Sequence, residues 1–96
     1  MAKRDLVSPE VVTEIGNGDL ERGRKLLAHI ASRLRYARGA HKWAFKSLTY
    51  GACAVMGEAR ELEKAVICDE GPKRVYDEAL DTIVTAIRMA NVEWEG

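Results

Sequence analysis

The tetrapeptide Asp69-Glu70-Gly71-Pro72 constrains this chain more than any other stretch. It joins a glycine to a proline suited to the first position of a helix, and it is short enough to force the chain back on itself. Long segments flank it, and in both the apolar residues recur at steps of three and four. They are Leu48, Ala52, Val55, Ala59, Leu62 and Val66 before the turn, then Tyr76, Leu80, Ile83, Ile87, Ala90 and Trp94 after it. That period belongs to amphipathic helices. Residues 47–94 are therefore expected to form an antiparallel helical hairpin, with one helix from Ser47 to about Ile67 and a second from Pro72 or Lys73 to about Trp94.

Each helix of the hairpin carries a second lane beside its apolar stripe. On the first, Ser47, Ala54, Gly57, Glu58, Glu61 and Ala65 share a face; on the second, Glu78, Asp81, Thr85 and Arg88 do. Each lane thus holds an acid-x-x-acid pair, Glu58/Glu61 and Glu78/Asp81, and antiparallel packing brings four carboxylates toward one spot. Unpaired, they repel one another. A hard divalent cation, Mg2+ first and Mn2+ as a substitute, removes that penalty while leaving positions open for water and phosphate oxygens. With 15 acids in 96 residues, about two such pairs arise by chance, so their placement on neighbouring helices matters and their number does not. Gly57 costs its helix about 1 kcal/mol relative to alanine, a cost that makes sense where something approaches its backbone closely.

The N-terminal part, residues 1–39, reads as two further helices. Ser8-Pro9-Glu10 is an N-cap with proline at the first helical position, opening a short helix that Gly16-Asn17-Gly18 stops. Asp19 caps the next, in which Leu20, Gly23, Leu27, Ile30, Leu34 and Ala37 form one stripe up to Gly39. Ala40 to Lys46, with Trp43 and Phe45, is a connection or a continuation of helix whose aromatic rings are expected to pack. Nothing alternates like a strand. The expected architecture is all-α, a single domain over residues 1–96 built as an antiparallel bundle of about four helices. So small a chain has a modest core, and a second copy is expected to complete it.

No apolar run approaches the 18 or so residues a membrane span needs, and no signal peptide is visible, so a cytoplasmic protein without a membrane partner is expected. In that compartment Cys53 and Cys68 are expected to be free thiols in packing positions. His29 and His41 receive no catalytic role. The charges balance overall but not locally. From Arg22 to Gly57 there are eight Lys or Arg and no acid, whereas Glu58 to Gly96 holds ten acids and five bases. One reading is a basic element leaning over the acidic site, gripping an anionic ligand between cations and metal; the other is a solvated or self-attracting helix face.

The words around the acids resemble those of the all-α nucleoside triphosphate pyrophosphatases, the MazG-like group, over about Ala40 to Val92. The shared signature is ExxE, a gap, then ExxD. Here Glu58-Ala59-Arg60-Glu61 is followed by Glu78-Ala79-Leu80-Asp81, with Glu61-Leu62-Glu63-Lys64-Ala65-Val66 and the run from Asp81 to Val92 similar to the family's flanking words. The resemblance implies hydrolysis of a nucleoside or deoxynucleoside triphosphate to the monophosphate and pyrophosphate, by a homodimer or homotetramer. It implies Mg2+ held by Glu58, Glu61, Glu78 and Asp81. It leaves Lys64, Arg88 and Asn91 as candidates for binding phosphate, base or sugar. Many members carry one more acid just before the first motif, where this chain has Gly57, which bears on how many ions are held. The N-terminal third carries no family marker, and the small size resembles stand-alone members of the phage and prophage kind.

Two rivals follow from the same residues. One is a nucleic-acid-binding module using the basic stretch from Arg22 to Lys46, with affinity that falls steeply with salt; nucleic acid is not the expected partner. The other is an inactive structural relative whose carboxylates no longer bind metal.

Overall fold

A computed structural model describes residues 8–41 and 45–93 of the chain. Trp43 and Trp94 lie outside the described residues. Four helices follow in order: α1 (Pro9–Ile15), α2 (Leu20–His41), α3 (Leu48–Ile67) and α4 (Pro72–Ala90). Among the described residues there is no strand, and none of the helices is long and apolar enough to cross a membrane. The chain divides into two compact units, Met1–Ser32 and Arg33–Gly96, with the boundary inside α2.

In the first unit the expected punctuation operates as read. The Ser8 hydroxyl accepts from the Val11 N–H, Pro9 occupies the first turn of α1, and Asp19 Oδ1 accepts from the Arg22 N–H at 3.0 Å to cap α2. Asn17 and Gly18 make the intervening turn at positive φ (55° and 92°). Gly23 is required by close packing: a Cβ there would lie 1.9 Å from the Val12 carbonyl oxygen. Val12 is correspondingly buried. α2 continues past Gly39, the expected stop, to His41.

The second unit is the hairpin together with the last turns of α2. The Ser47 hydroxyl caps α3 by accepting from the Tyr50 N–H at 3.1 Å. Cys68 closes that helix, and Asp69 (φ 52°) and Gly71 (φ 98°) turn the chain into Pro72. α4 stops at Ala90, earlier than expected, because Asn91 caps it and Val92 adopts a φ of 61°. Glu93 is then tied down by its backbone: its carbonyl accepts from the Phe45 N–H at 2.7 Å.

The helices are rotated relative to the core stripes expected from periodicity. On α3 the buried positions are Gly51 and Ala65, with Ala54, Val55, Glu58 and Leu62 half-buried, while Leu48, Ala52 and Val66 face solvent. Among the described residues of the expected α4 stripe only Leu80 is buried, with Ile83 and Ile87 half-buried. Tyr76 and Ala90 are exposed, and Val84, Glu78 and Arg88 are buried in their place. The small residues decide this. Gly51 and Ala65 let α4 approach closely, which brings the second lane of each helix inward and leaves part of each apolar stripe uncovered. Nothing of this chain's described residues lies within 4 Å of a Cβ position at Gly57, whereas Gly51 is closely approached, by Met89 and Phe45. Cys53 and Cys68 are free thiols, as expected, but both are exposed and neither packs.

Candidate metal centre

The inward rotation of α3 and α4 sets Glu58 of the first acid pair against both acids of the second. One carboxylate oxygen each from Glu58, Glu78 and Asp81 lies within 4.8 Å of the other two. An octahedral Mg2+ with bonds of about 2.1 Å spans about 4.2 Å between opposite ligands, so small side-chain rotations would close these three oxygens on one ion. The donor set fits a hard cation: three carboxylates, with no sulfur or imidazole. Glu61, the fourth expected ligand, is exposed one turn further along α3 and stands outside the cluster.

The three acids are compensated unequally. Glu78, 6% exposed, pairs with Arg74 Nη2 at 2.9 Å, one turn earlier on α4. Asp81 pairs with Arg33 Nη1 at 2.6 Å, and the other guanidinium nitrogen of Arg33 reaches Asp77 at 3.2 Å. Glu58 has neither a hydrogen bond nor an ion pair to any of the described residues. Partial burial, then the charges of Asp81, Glu78 and Glu61 in that order, raise its pKa above the ordinary 4.5. The site therefore holds one carboxylate that is short of positive charge.

The substrate candidates are distributed differently. Lys64 is exposed on α3. Asn91 is exposed as the C-cap of α4, its backbone N–H bonded to the Ile87 and Met89 carbonyls. Arg88, two turns beyond Asp81 on the same face, is 5% exposed; its Nε donates to Glu93 Oε1 at 3.0 Å and its guanidinium lies 4.6 Å from the centre of the Phe45 ring. Arg38 donates to both oxygens of the same carboxylate. These hydrogen bonds hold the Glu93 pKa below its usual range, Arg38 contributing most. Arg88 is thus held by Glu93 and Phe45 of its own chain.

The arginines that touch the acids, Arg33 and Arg74, are not among the site residues expected from the sequence. Signals for both are present in the sequence. Arg74 stands four residues before Glu78, the spacing of a helical ion pair. Arg33 borders the α2 stripe, three residues after Ile30 and four before Ala37, within the acid-free stretch.

No protein-family model matches this chain, and neither a curated protein nor a solved structure does.

Proposed function

We propose that this chain is a Mg2+-dependent nucleoside triphosphate pyrophosphohydrolase of the MazG-like all-α type. The observation that carries the reading is the convergence of acids from both halves of the ExxE…ExxD pattern, Glu58 facing Glu78 and Asp81 within 4.8 Å across two antiparallel helices. Glu58, Glu78 and Asp81 turn toward one another while apolar positions such as Leu48 and Val66 stay in solvent, which supports a site rather than a solvated acidic face.

When bound, the ion would neutralise phosphate oxygens and activate a water, which is most of what phosphoryl transfer asks of a protein. Glu58, Glu78 and Asp81 would hold it, with Glu61 as a fourth ligand at the exposed rim. A carboxylate of this set would orient the attacking water by accepting its proton, and Lys64, exposed one turn after Glu61, would meet the phosphate chain. The uncovered apolar positions Leu48, Val66 and Tyr76 would be the surface where a second copy completes the core, in a dimer or tetramer.

Four of the eight cations of the basic stretch are engaged by carboxylates of their own chain, which weighs against the nucleic-acid alternative. Arg22 pairs with Asp19, Arg24 with Glu21, Arg33 with Asp77 and Asp81, and Arg38 with Glu93.

The test is a screen of the common ribo- and deoxyribonucleoside triphosphates for pyrophosphate release with and without Mg2+. Asp81→Asn and Glu58→Gln are each expected to lower the Mg2+-dependent rate at least about a thousandfold, roughly 4 kcal/mol in barrier, with the helical circular dichroism unchanged. Glu61→Gln is expected to do the same. Full activity of the Asp81 and Glu58 variants overturns the reading.

A further inference from the structure

Arg33 bridges two carboxylates through separate nitrogens, and one of them, Asp81, belongs to the cluster that converges on the candidate ion. A divalent cation on Asp81 would draw charge off the carboxylate that Arg33 holds through Oδ1, so loading the site weakens the Arg33–Asp81 contact. Three features make that exchange easy. The Arg33 side chain is 36% exposed, so releasing it strands no buried charge. It comes from α2, whereas both acids sit on α4, so it can shift without moving the ligand helices. Asp77 has a second cation, Lys73 Nζ at 2.9 Å, so it stays compensated when Arg33 lets go.

A guanidinium displaced from Asp81 would find itself beside a newly cationic centre with its planar fork unfilled. The ligand that satisfies both is a polyphosphate, whose oxygens coordinate the metal on one side and accept paired N–H bonds on the other. We propose that Arg33 is a phosphate-binding residue of this site, parked on Asp81 and Asp77 until a divalent ion takes its place on Asp81. The inference rests on the metal-centre reading above. It assigns the unfilled cation of the loaded site to α2, outside the stretch from Glu58 to Asn91 that holds the other candidates.

The experiment uses the full chain and two probes, Mn2+ alone and inorganic tripolyphosphate in saturating Mn2+, each titrated into wild type, Arg33→Met and Arg33→Lys. Removing the competitor should tighten Mn2+ in Arg33→Met by about threefold, the size of a part-exposed ion pair. The same variant should weaken tripolyphosphate by about tenfold or more, the loss of a charge-assisted pair of hydrogen bonds. Arg33→Lys keeps the charge but loses the fork, and should fall between on tripolyphosphate while folding as wild type. A purely structural clamp between α2 and α4 would lower the melting temperature and move neither affinity. Wild type that binds Mn2+, with Arg33 variants that bind both probes equally well, overturns the role of Arg33 alone. Wild type that binds no Mn2+ overturns this inference together with the metal centre beneath it.

Discussion

The inward face of α4 carries two charged clusters about two turns apart, and they are built on opposite principles. At Arg88 every charge is answered: Glu93 takes Arg88 and Arg38, and Phe45 lies under the Arg88 guanidinium. At Glu58, Glu78 and Asp81 three acids converge, the arginines reach only two of them, and Glu58 keeps a raised pKa with no partner among the described residues. Both clusters are polar groups on a face that could have been apolar. A buried polar cluster that is fully paired can act as a rivet, whereas one left short of charge costs stability unless a ligand completes it. The difference separates a part of the hairpin that holds the fold from a part available for chemistry.

Three experiments would break or sharpen that contrast. The largest effect is expected at the closed cluster. Arg88→Met should cost about 3 kcal/mol in unfolding free energy, because it removes one partner of a buried pair and the cation over Phe45. Glu58→Gln should leave stability unchanged or raise it at neutral pH, since it relieves repulsion and breaks no ion pair. Denaturant melts of the two variants compare them directly, and equal destabilisation would erase the distinction between the clusters.

Next in size is a contrast between two glycines on α3. Gly51→Ala should destabilise by about 1–3 kcal/mol, since its Cβ would lie 2.2 Å from the Met89 sulfur and 3.0 Å from the Phe45 ring. Gly57→Ala, in open space, should stabilise by about 1 kcal/mol. If Gly57→Ala is instead destabilising, something other than this chain's own packing occupies that space.

The smallest effect is a pair of opposed pH dependences. Glu58 binds its proton more tightly folded than unfolded, so its contribution to stability is full below the ordinary 4.5 and falls as pH rises through the raised folded value. Glu93 binds its proton less tightly when folded, so its contribution is full above the ordinary 4.5 and is lost as pH falls through the lowered value. Melting temperature against pH should therefore show an upper limb that Glu58→Gln removes and a lower limb that Glu93→Gln removes. Millimolar Mg2+ should flatten the upper limb only, because a ligand of the folded state stabilises it where its carboxylates are ionised. A profile in which Mg2+ acts on neither limb would count against the metal centre.

Much of this arrangement was legible in the sequence, for local reasons. Ser8, Asp19 and Ser47 mark helix starts because their side chains accept from backbone N–H groups a turn away, a preference that needs no distant partner. The turn at Asp69 to Pro72 and the spacing within each acid pair are equally local, as is the set of residues sharing each helical face. The second lane of small and acidic residues was visible for the same reason, and it contains three of the residues that converge.

Periodicity states which residues travel together round a helix, not which lane turns inward, and that choice belonged to the packing. Gly51 and Ala65 admit α4 closely enough to bury Glu78 and Arg88 beside Leu80 and Val84, while Leu48 and Val66 stay outside. The pairing of Arg33 with Asp81 spans 48 positions, and that of Arg38 with Glu93 spans 55. Charge complementarity between the two stretches was readable, but not which arginine meets which acid. That depends on the distance between side-chain ends once the hairpin and the last turns of α2 have folded together, a quantity no local rule contains.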